Sequence, residues 1–494
     1  MLRRPRGPDA RDGTPLCLRG RDGGRGHPHR DHRVAAGHSP AVVGGPVPHH
    51  RRRCRRSGGH GGTADSPGLT RPVRVRIATS GPDAHVAREI LRRKGYEVVD
   101  GGDDPVALVV VDEWTAETDP TVLQARAEGC GVTVLAELIL DGVPRPVVGV
   151  TGSAGKTSTC RALEHILTAC GVPVAISSTA RSGNAWPDHS LAAQLNAPVP
   201  GTVTVAELTS THLCHMDHVH PDVAVVTTIR PDHLELHGGL DAYVAAKRRL
   251  VADLADDDAV VLPTDDPQAI ALLGPVRGTR WGFGAEPAER GAFSQGTGVH
   301  LRSGDATREA DTALTGPPLR AALAASAAAL ALGMHPDHVG DALADLKPVA
   351  HRQAPRRGPR GITIVDDSMA ATPMKVQAAL ERFAAEPLVV VLGGDDAAGG
   401  QPVHASPEES DLMARVLLMA QASARAVVTF GPARARMAAR VVPAAQADDI
   451  AQALEVAIGL CPDGGTVLVS PMFPLTPEER EAAGGERETA GGRR

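Results

Sequence analysis

Seven consecutive residues, Thr151-Gly152-Ser153-Ala154-Gly155-Lys156-Thr157, carry the plainest chemistry in this chain of 494 residues. They follow the apolar run "PVVGV" and precede "STCRALEHILTA", whose apolar spacing predicts a helix. A glycine-rich turn between a buried strand and a helix start aims backbone N–H groups and the helix dipole at an anion. Gly152 and Gly155 let the backbone approach closely, Lys156 reaches toward terminal phosphates, and the Thr157 hydroxyl suits Mg2+, with Ser158 next to it. The spacing is not the common G-x-x-x-x-G-K-[ST], because the residue five before Gly155 is Val150. Two readings follow: a nucleotide loop of a particular kind, or a turn that happens to hold a lysine. The strand and helix on either side favour the first.

Further residues could complete such a site. Glu207 in "AELTSTH" stands at the C-terminal end of a predicted strand, the edge where open α/β sheets bind ligands. A carboxylate there suits a hard cation that keeps oxygen ligands. The same argument applies to "TTIRPDHLELHGGLDAYVAAKRRL", where a strand ends and Asp232 and His233 follow, then His237 and Lys247. D-H-x-x-x-H could also be read as a zinc pair, but no third soft ligand lies nearby in sequence. Each of these residues taken alone could simply be solvated.

The elements that must hold these groups alternate strand and helix. "VRVRIATS" at 73–80, "ALVVVD" at 107–112 and the helix-then-strand segment "TVLQARAEGCGVTVLAE" predict a parallel, Rossmann-like sheet, though its first turn is not G-x-G-x-x-G. "DGVPRP" reads as a linker. Strands at 202–208 and 223–229, a helix at 242–254 and two Ala-rich helices after Pro317 build a second unit around the loop. A third begins near Lys347, with strands at 362–368, 387–394, 426–431 and 466–471 separated by helices. The expected division is an extension at 1–72, domains at 73–143, 144–346 and 347–480, and a disordered tail at 481–494.

Composition sets the limits. Aromatic residues are only 2% of the chain, so the cores must be built from Ala, Val and Leu. No apolar run approaches the ~18 residues of a membrane helix. The seven cysteines show no framework spacing, which fits a reducing cytoplasm. Residues 1–72 hold fifteen Arg and five Asp with no Lys or Glu, a net of +10 within a chain of net −6. That basic arm could meet nucleic acid or an anionic membrane. Its Gly, Pro and His content cannot bury a core, and it is the kind of composition a GC-rich gene yields upstream of its true start. We expect no nucleic-acid partner and no membrane insertion.

"GVTGSAGKTST", "AELTST", the Asp232–Leu250 segment, "KPVAHR" and "VDDSMAATP" occur in this order, and together they resemble the Mur ligases, most closely the MurD type. The resemblance spans about 73–475, and the family's loop has this shorter T-G-x-x-G-K-[ST] spacing. It implies three α/β domains: Rossmann-like for a UDP-sugar, a central P-loop ATPase, and Rossmann-like for the incoming amino acid. It implies ATP contacts from Thr151, Gly152, Ser153, Gly155, Lys156, Thr157, Ser158, Arg352 and Asp367. It also implies two Mg2+ held by Thr157, Glu207, His233 and a carbamylated Lys247, with Lys156, His233 and Lys247 catalytic. The implied reaction is ATP-dependent amide formation through an acyl phosphate, as in the addition of D-glutamate to UDP-N-acetylmuramoyl-L-alanine in peptidoglycan biosynthesis, by a cytoplasmic monomer.

Several positions depart from the family pattern. Ala154 replaces the usual Asn. Met369 and Ala371 replace Lys and Thr of the D-S-K-A-T-N-P motif, and "GGDDAAGG" lacks the lysine of G-G-x-x-K-G. "VVVDEWTAE" stands where Ser-Pro-Gly is usual, and "SGNAWP" where Asn-Ile-Gly-x-Pro is usual. Of the C-terminal motif only Ser470 and Pro471 remain. Removing two cations from a site that grips a dicarboxylate should weaken it, since charge-assisted pairs are strong. An amide synthetase with other substrates, or a nucleotide-binding pseudoenzyme, therefore stands beside the first reading. Lys156, Glu207, His233 and Lys247 together argue against the pseudoenzyme.

Overall fold

The computed structural model describes residues 73–79, 81–99, 105–176, 199–296, 298–397, 404 and 406–484. The arm at 1–72, the "SGNAWP" turn, the end of the "GGDDAAGG" run and residues 485–494 lie outside these.

Three separate sheets carry the chain. The first has four parallel strands in the spatial order Glu97–Val99, Arg74–Ile77, Leu108–Val111, Gly131–Val134. The second has nine, and its parallel part runs Thr279–Gly284, Ala259–Pro263, Val223–Val226, Val147–Thr151, Val203–Glu207, Val174–Ile176. The third has six, with Thr363–Asp366, Thr466–Met472, Leu388–Gly393 and Ala426–Phe430 at its parallel centre. The central strands are buried on both faces, which is why they read as continuous Val and Ile runs rather than as alternating patterns.

Small residues take over the role that aromatics play elsewhere. The helix Gly316–Ala331 buries a continuous run from Ala321 to Leu330. It packs in one cluster with Cys160, Ala162, Leu163, Ile166 and Leu167 of the helix Lys156–Ala169. Alanine costs no side-chain entropy in a helix and lets the two helices come close. This contact anchors the helix that starts at the glycine-rich loop.

The sequence reading missed Gly291–Gln295, which pairs parallel with Thr279–Gly284, the antiparallel strands Gly298–Ser303 and Ala306–Ala310 beyond it at one edge of the second sheet, and the antiparallel edge strand Ala354–Arg357 of the third. These strands are glycine-rich or charged and half-exposed, so they lack an apolar signature. One boundary needs correction: the tail expected to be disordered from 481 is helical to Gly484, because Ala483 is buried against the third sheet's core. No helix among the described residues is long and apolar enough to cross a membrane.

Candidate functional site

The strand Val147–Thr151 runs into the loop at the C-terminal edge of the second sheet, and the loop passes directly into the helix Lys156–Ala169. Gly152 has φ 150°, and a Cβ there would lie 1.9 Å from Thr227 Oγ1. Gly155 caps the helix at φ 84°. The neighbouring strand end holds the loop in place: Ser153 N–H donates to Thr228 O (2.9 Å), and the Thr227 hydroxyl donates to Ala154 O (2.5 Å). Ser153 Oγ accepts from Arg230 N–H (2.8 Å) and lies 2.5 Å from the buried Tyr243 hydroxyl. The loop is thus preorganised by main-chain and hydroxyl contacts rather than by charge.

Lys156 Nζ and Lys247 Nζ both donate to the Gly152 carbonyl, at 2.9 and 3.0 Å. Two lysines separated by 91 positions in sequence therefore meet at one oxygen. Lys247 lies on the helix Leu240–Ala252 and is 1% exposed. Burial holds its ammonium well below the usual lysine range, the charge of Lys156 adds to this, and Asp232 opposes it. Thr157 Oγ1 donates to Glu207 Oε1 (3.0 Å) and accepts from Arg352 (2.9 Å). That hydroxyl links the second sheet to the turn that leads into the third sheet. Arg352 follows His351, which has φ 62° and is anchored by Asp366 at 2.8 Å.

His233 stands slightly apart. It has φ 52°, its N–H donates to Glu409 Oε1 (3.0 Å), and its ring faces Glu235 (3.5 Å) and Asp232 (3.9 Å). Burial alone would lower its pKa, yet Asp232 and Glu235 raise it overall. Asp232 joins this group to the loop. Burial would raise its carboxyl, but the charges of His233, Lys375, Lys156 and Lys247 hold it below the usual range. His237 takes a separate path: Nδ1 lies 3.1 Å from Glu117 and Nε2 3.0 Å from Ser210 Oγ. The structure adds the Cys214 thiol beside the Glu117 carboxylate and the His237 ring, which the sequence could not reveal. Both His237 nitrogens already have partners, however, and Arg126 sits 3.9 Å from Glu117, so His233 and His237 do not form a zinc pair.

A cavity of about 1180 Å³ opens over the loop between the second and third sheets. Its walls include Gly155, Ser158, Arg230, Arg320, Arg352, Asp367, Met369 and Lys375. Asp367 is buried, accepts from Ser470 Oγ (2.9 Å), and has its carboxyl pushed up to about 7, chiefly by burial. Lys375, Glu409 and Asp232 were not assigned a role from sequence. Lys375 and Glu409 each sit in the first turn of a helix that begins with proline, and a basic or acidic residue in that position is the signal that could have found them. The "VVVDEWTAE" segment also reaches the second sheet, through Glu113 to His212 (2.7 Å), Thr115 O to His215 (2.8 Å) and Glu117 to His237.

The Mur ligase middle domain family model matches residues 150–316, and the Mur ligase glutamate ligase domain matches 351–473. A UDP-N-acetylmuramoylalanine–D-glutamate ligase of Geobacillus kaustophilus is 30% identical over 391 residues, 76% of this chain and 82% of the relative. One from Streptococcus pyogenes is 26% identical over 409 residues, 80% of this chain and 86% of the relative. Among solved structures, a MurF ligase from Thermotoga maritima in complex with ADP has the same fold, with a TM-score of 0.55 at 20% identity, covering 84% of this chain and 96% of that one. A relationship of that identity and length, running through the loop, the buried lysine and the third sheet alike, means that this chain belongs to the Mur ligase family.

Proposed function

We propose that the chain is an ATP-dependent acid–amino-acid ligase, and that its reaction is the addition of D-glutamate to UDP-N-acetylmuramoyl-L-alanine. The observation that carries this reading is the meeting of Lys156 and Lys247 on the Gly152 carbonyl beside the Thr157–Glu207–Arg352 chain. The relatives' names supply the substrates.

In this reading the loop N–H groups and Lys156 hold the ATP phosphates, and Arg352 and Asp367 approach the nucleotide from the third unit. The γ-phosphorus–oxygen bond to ADP breaks as a bond to the substrate carboxylate forms. The amine nitrogen then attacks the acyl carbon, loses a proton, and inorganic phosphate leaves. Thr157 and Glu207 form a pair of hard oxygen donors suited to Mg2+, with His233 and a carbamylated Lys247 as further ligands. Bound magnesium would supply positive charge on the phosphoryl oxygens. A lysine kept neutral by burial is the form that adds to carbon dioxide, so the depressed pKa of Lys247 supports carbamylation. Closure over the cavity would exclude water that hydrolyses an acyl phosphate. The domain boundaries at 143 and 346 belong to this reading, as do a monomeric state and a cytoplasmic location where nucleotide substrates are at hand.

A second reading, an amide synthetase with a different acid and amine, is favoured by Met369 on the cavity wall and by the docking of Glu113 and Glu117 where the family keeps Ser-Pro-Gly. Phosphate release by the full chain with ATP, Mg2+ and UDP-N-acetylmuramoyl-L-alanine, against a panel of amines including D-glutamate, separates the two. Stimulation by that UDP-sugar and by D-glutamate supports the first reading. Turnover only with other acceptors supports the second, and none with any acceptor refutes both. Lys247→Ala should lower amide formation at least 10³-fold, with the carbamate read by carbon NMR in labelled bicarbonate.

A further inference from the structure

The cavity wall carries several cations, and nearly all are already engaged. Arg230 pairs with Asp266 (3.1 Å), Arg320 with Asp265 (2.6 Å), and Arg352 donates to Thr157 (2.9 Å). Arg382 donates to Gln353 and Thr315, both at 2.8 Å. Lys375 differs. It sits in the first turn of the helix Pro373–Phe383, half-buried on the cavity wall, and among the described residues its ammonium makes no hydrogen bond or ion pair.

A half-buried cation with no partner is costly, and its surroundings relieve it only in part. Burial lowers the Lys375 ammonium; Asp232 and Asp367 oppose that, while Lys156 and Arg352 add to it. Lys156, Arg352 and Lys375 therefore repel one another, and an anion entering the cavity that Arg352 and Lys375 line relieves that repulsion further. Gly155 and Ser158 of the loop line the same cavity as Arg352 and Lys375, so the anion is a phosphoryl group held at the loop rather than a carboxylate elsewhere. Met369, six residues earlier on the same segment, occupies the position where the family pattern has a lysine.

We propose that Lys375 binds the phosphoryl group in transit between nucleotide and acid. This rests on the ligase reading for its chemistry but not on the identity of the acid or amine.

The test uses the full chain and two probes that need neither substrate: ADP, and ADP with aluminium fluoride as a mimic of the transferring phosphoryl, both with MgCl2. Lys375→Met should leave ADP affinity within about threefold and weaken ADP–aluminium fluoride at least tenfold. Lys375→Arg should restore most of the loss. A Lys375→Met chain that binds the mimic as tightly as the parent overturns the proposal. So does one that loses ADP and the mimic equally, which is what a purely structural role would produce. These outcomes are distinct from failure of the substrate assignment, which leaves the mimic's binding unchanged in the parent chain while phosphate release with the UDP-sugar is absent.

Discussion

Asp367 is buried beside Arg352 with a single hydroxyl donor, Ser470, and its carboxyl is pushed up to about 7. An unfolded aspartate titrates near 4. Between about pH 4 and 7 the native state therefore keeps a proton that the unfolded chain has released, and stability falls as pH rises through that window. Asp367→Asn should raise Tm by a few degrees at about pH 8, and the gain should shrink as pH falls and vanish near pH 4. Scanning calorimetry at both values checks this; an equal shift at each would show that the buried charge is not the cause. The contrast with Asp232 is instructive. Both are buried aspartates on one site, yet Asp232 has four cations in its field and is held low. Environment, not residue type, assigns one carboxyl to stay ionised and the other to exchange protons near neutrality.

The loop shows what an element contributes beyond its residues. Gly152 is required by a close approach as well as by its φ of 150°, since a Cβ would meet Thr227 Oγ1 at 1.9 Å. Gly152→Ala must push the loop off the neighbouring strand end, break the contacts of Thr227 and Ser153, and shift the carbonyl on which both lysines converge. The expected cost is about 3 kcal/mol or more of stability, with loss of ADP binding measurable by titration; a variant that binds ADP normally would show the loop to be pliant. The Ala-rich helix behind the loop helix is the supporting element. Its small side chains are legible in sequence as helix formers, but not their partner, because alanine carries no directional signal. The missed edge strands have the opposite cause: charge and glycine hid a pairing that main-chain hydrogen bonds alone specify.

At the scale of the whole molecule, contacts between sheets decide which residues form the site. Glu409, on the helix Pro407–Ser423 beside the third sheet, accepts from the His233 N–H and is 2% exposed. Arg352 reaches Thr157 from the same side. Glu409→Ala removes a buried charged acceptor worth about 1.5–3 kcal/mol. It should lower the rate of phosphate release at least tenfold, with Glu409→Gln recovering most of it because an acceptor returns. Unchanged kinetics in Glu409→Ala would mean that this contact does not hold the site together.

Sequence alone determined the loop and its unusual spacing, the alternation of strand and helix, and the placement of Glu207, Asp232 and Lys247 at strand ends or on the following helix. Those features are local: spacing along the chain sets them, and the chemistry of glycine, lysine and carboxylate can be read directly. Only the tertiary structure decided that Lys247 shares the Gly152 carbonyl with Lys156, that His237 turns to Glu117 rather than joining His233, that Lys375 faces the cavity, and that Glu409 takes the His233 N–H. Each of these depends on how buried sheets pack side by side, and the apolar residues that drive that packing carry no mark of which polar groups they bring together.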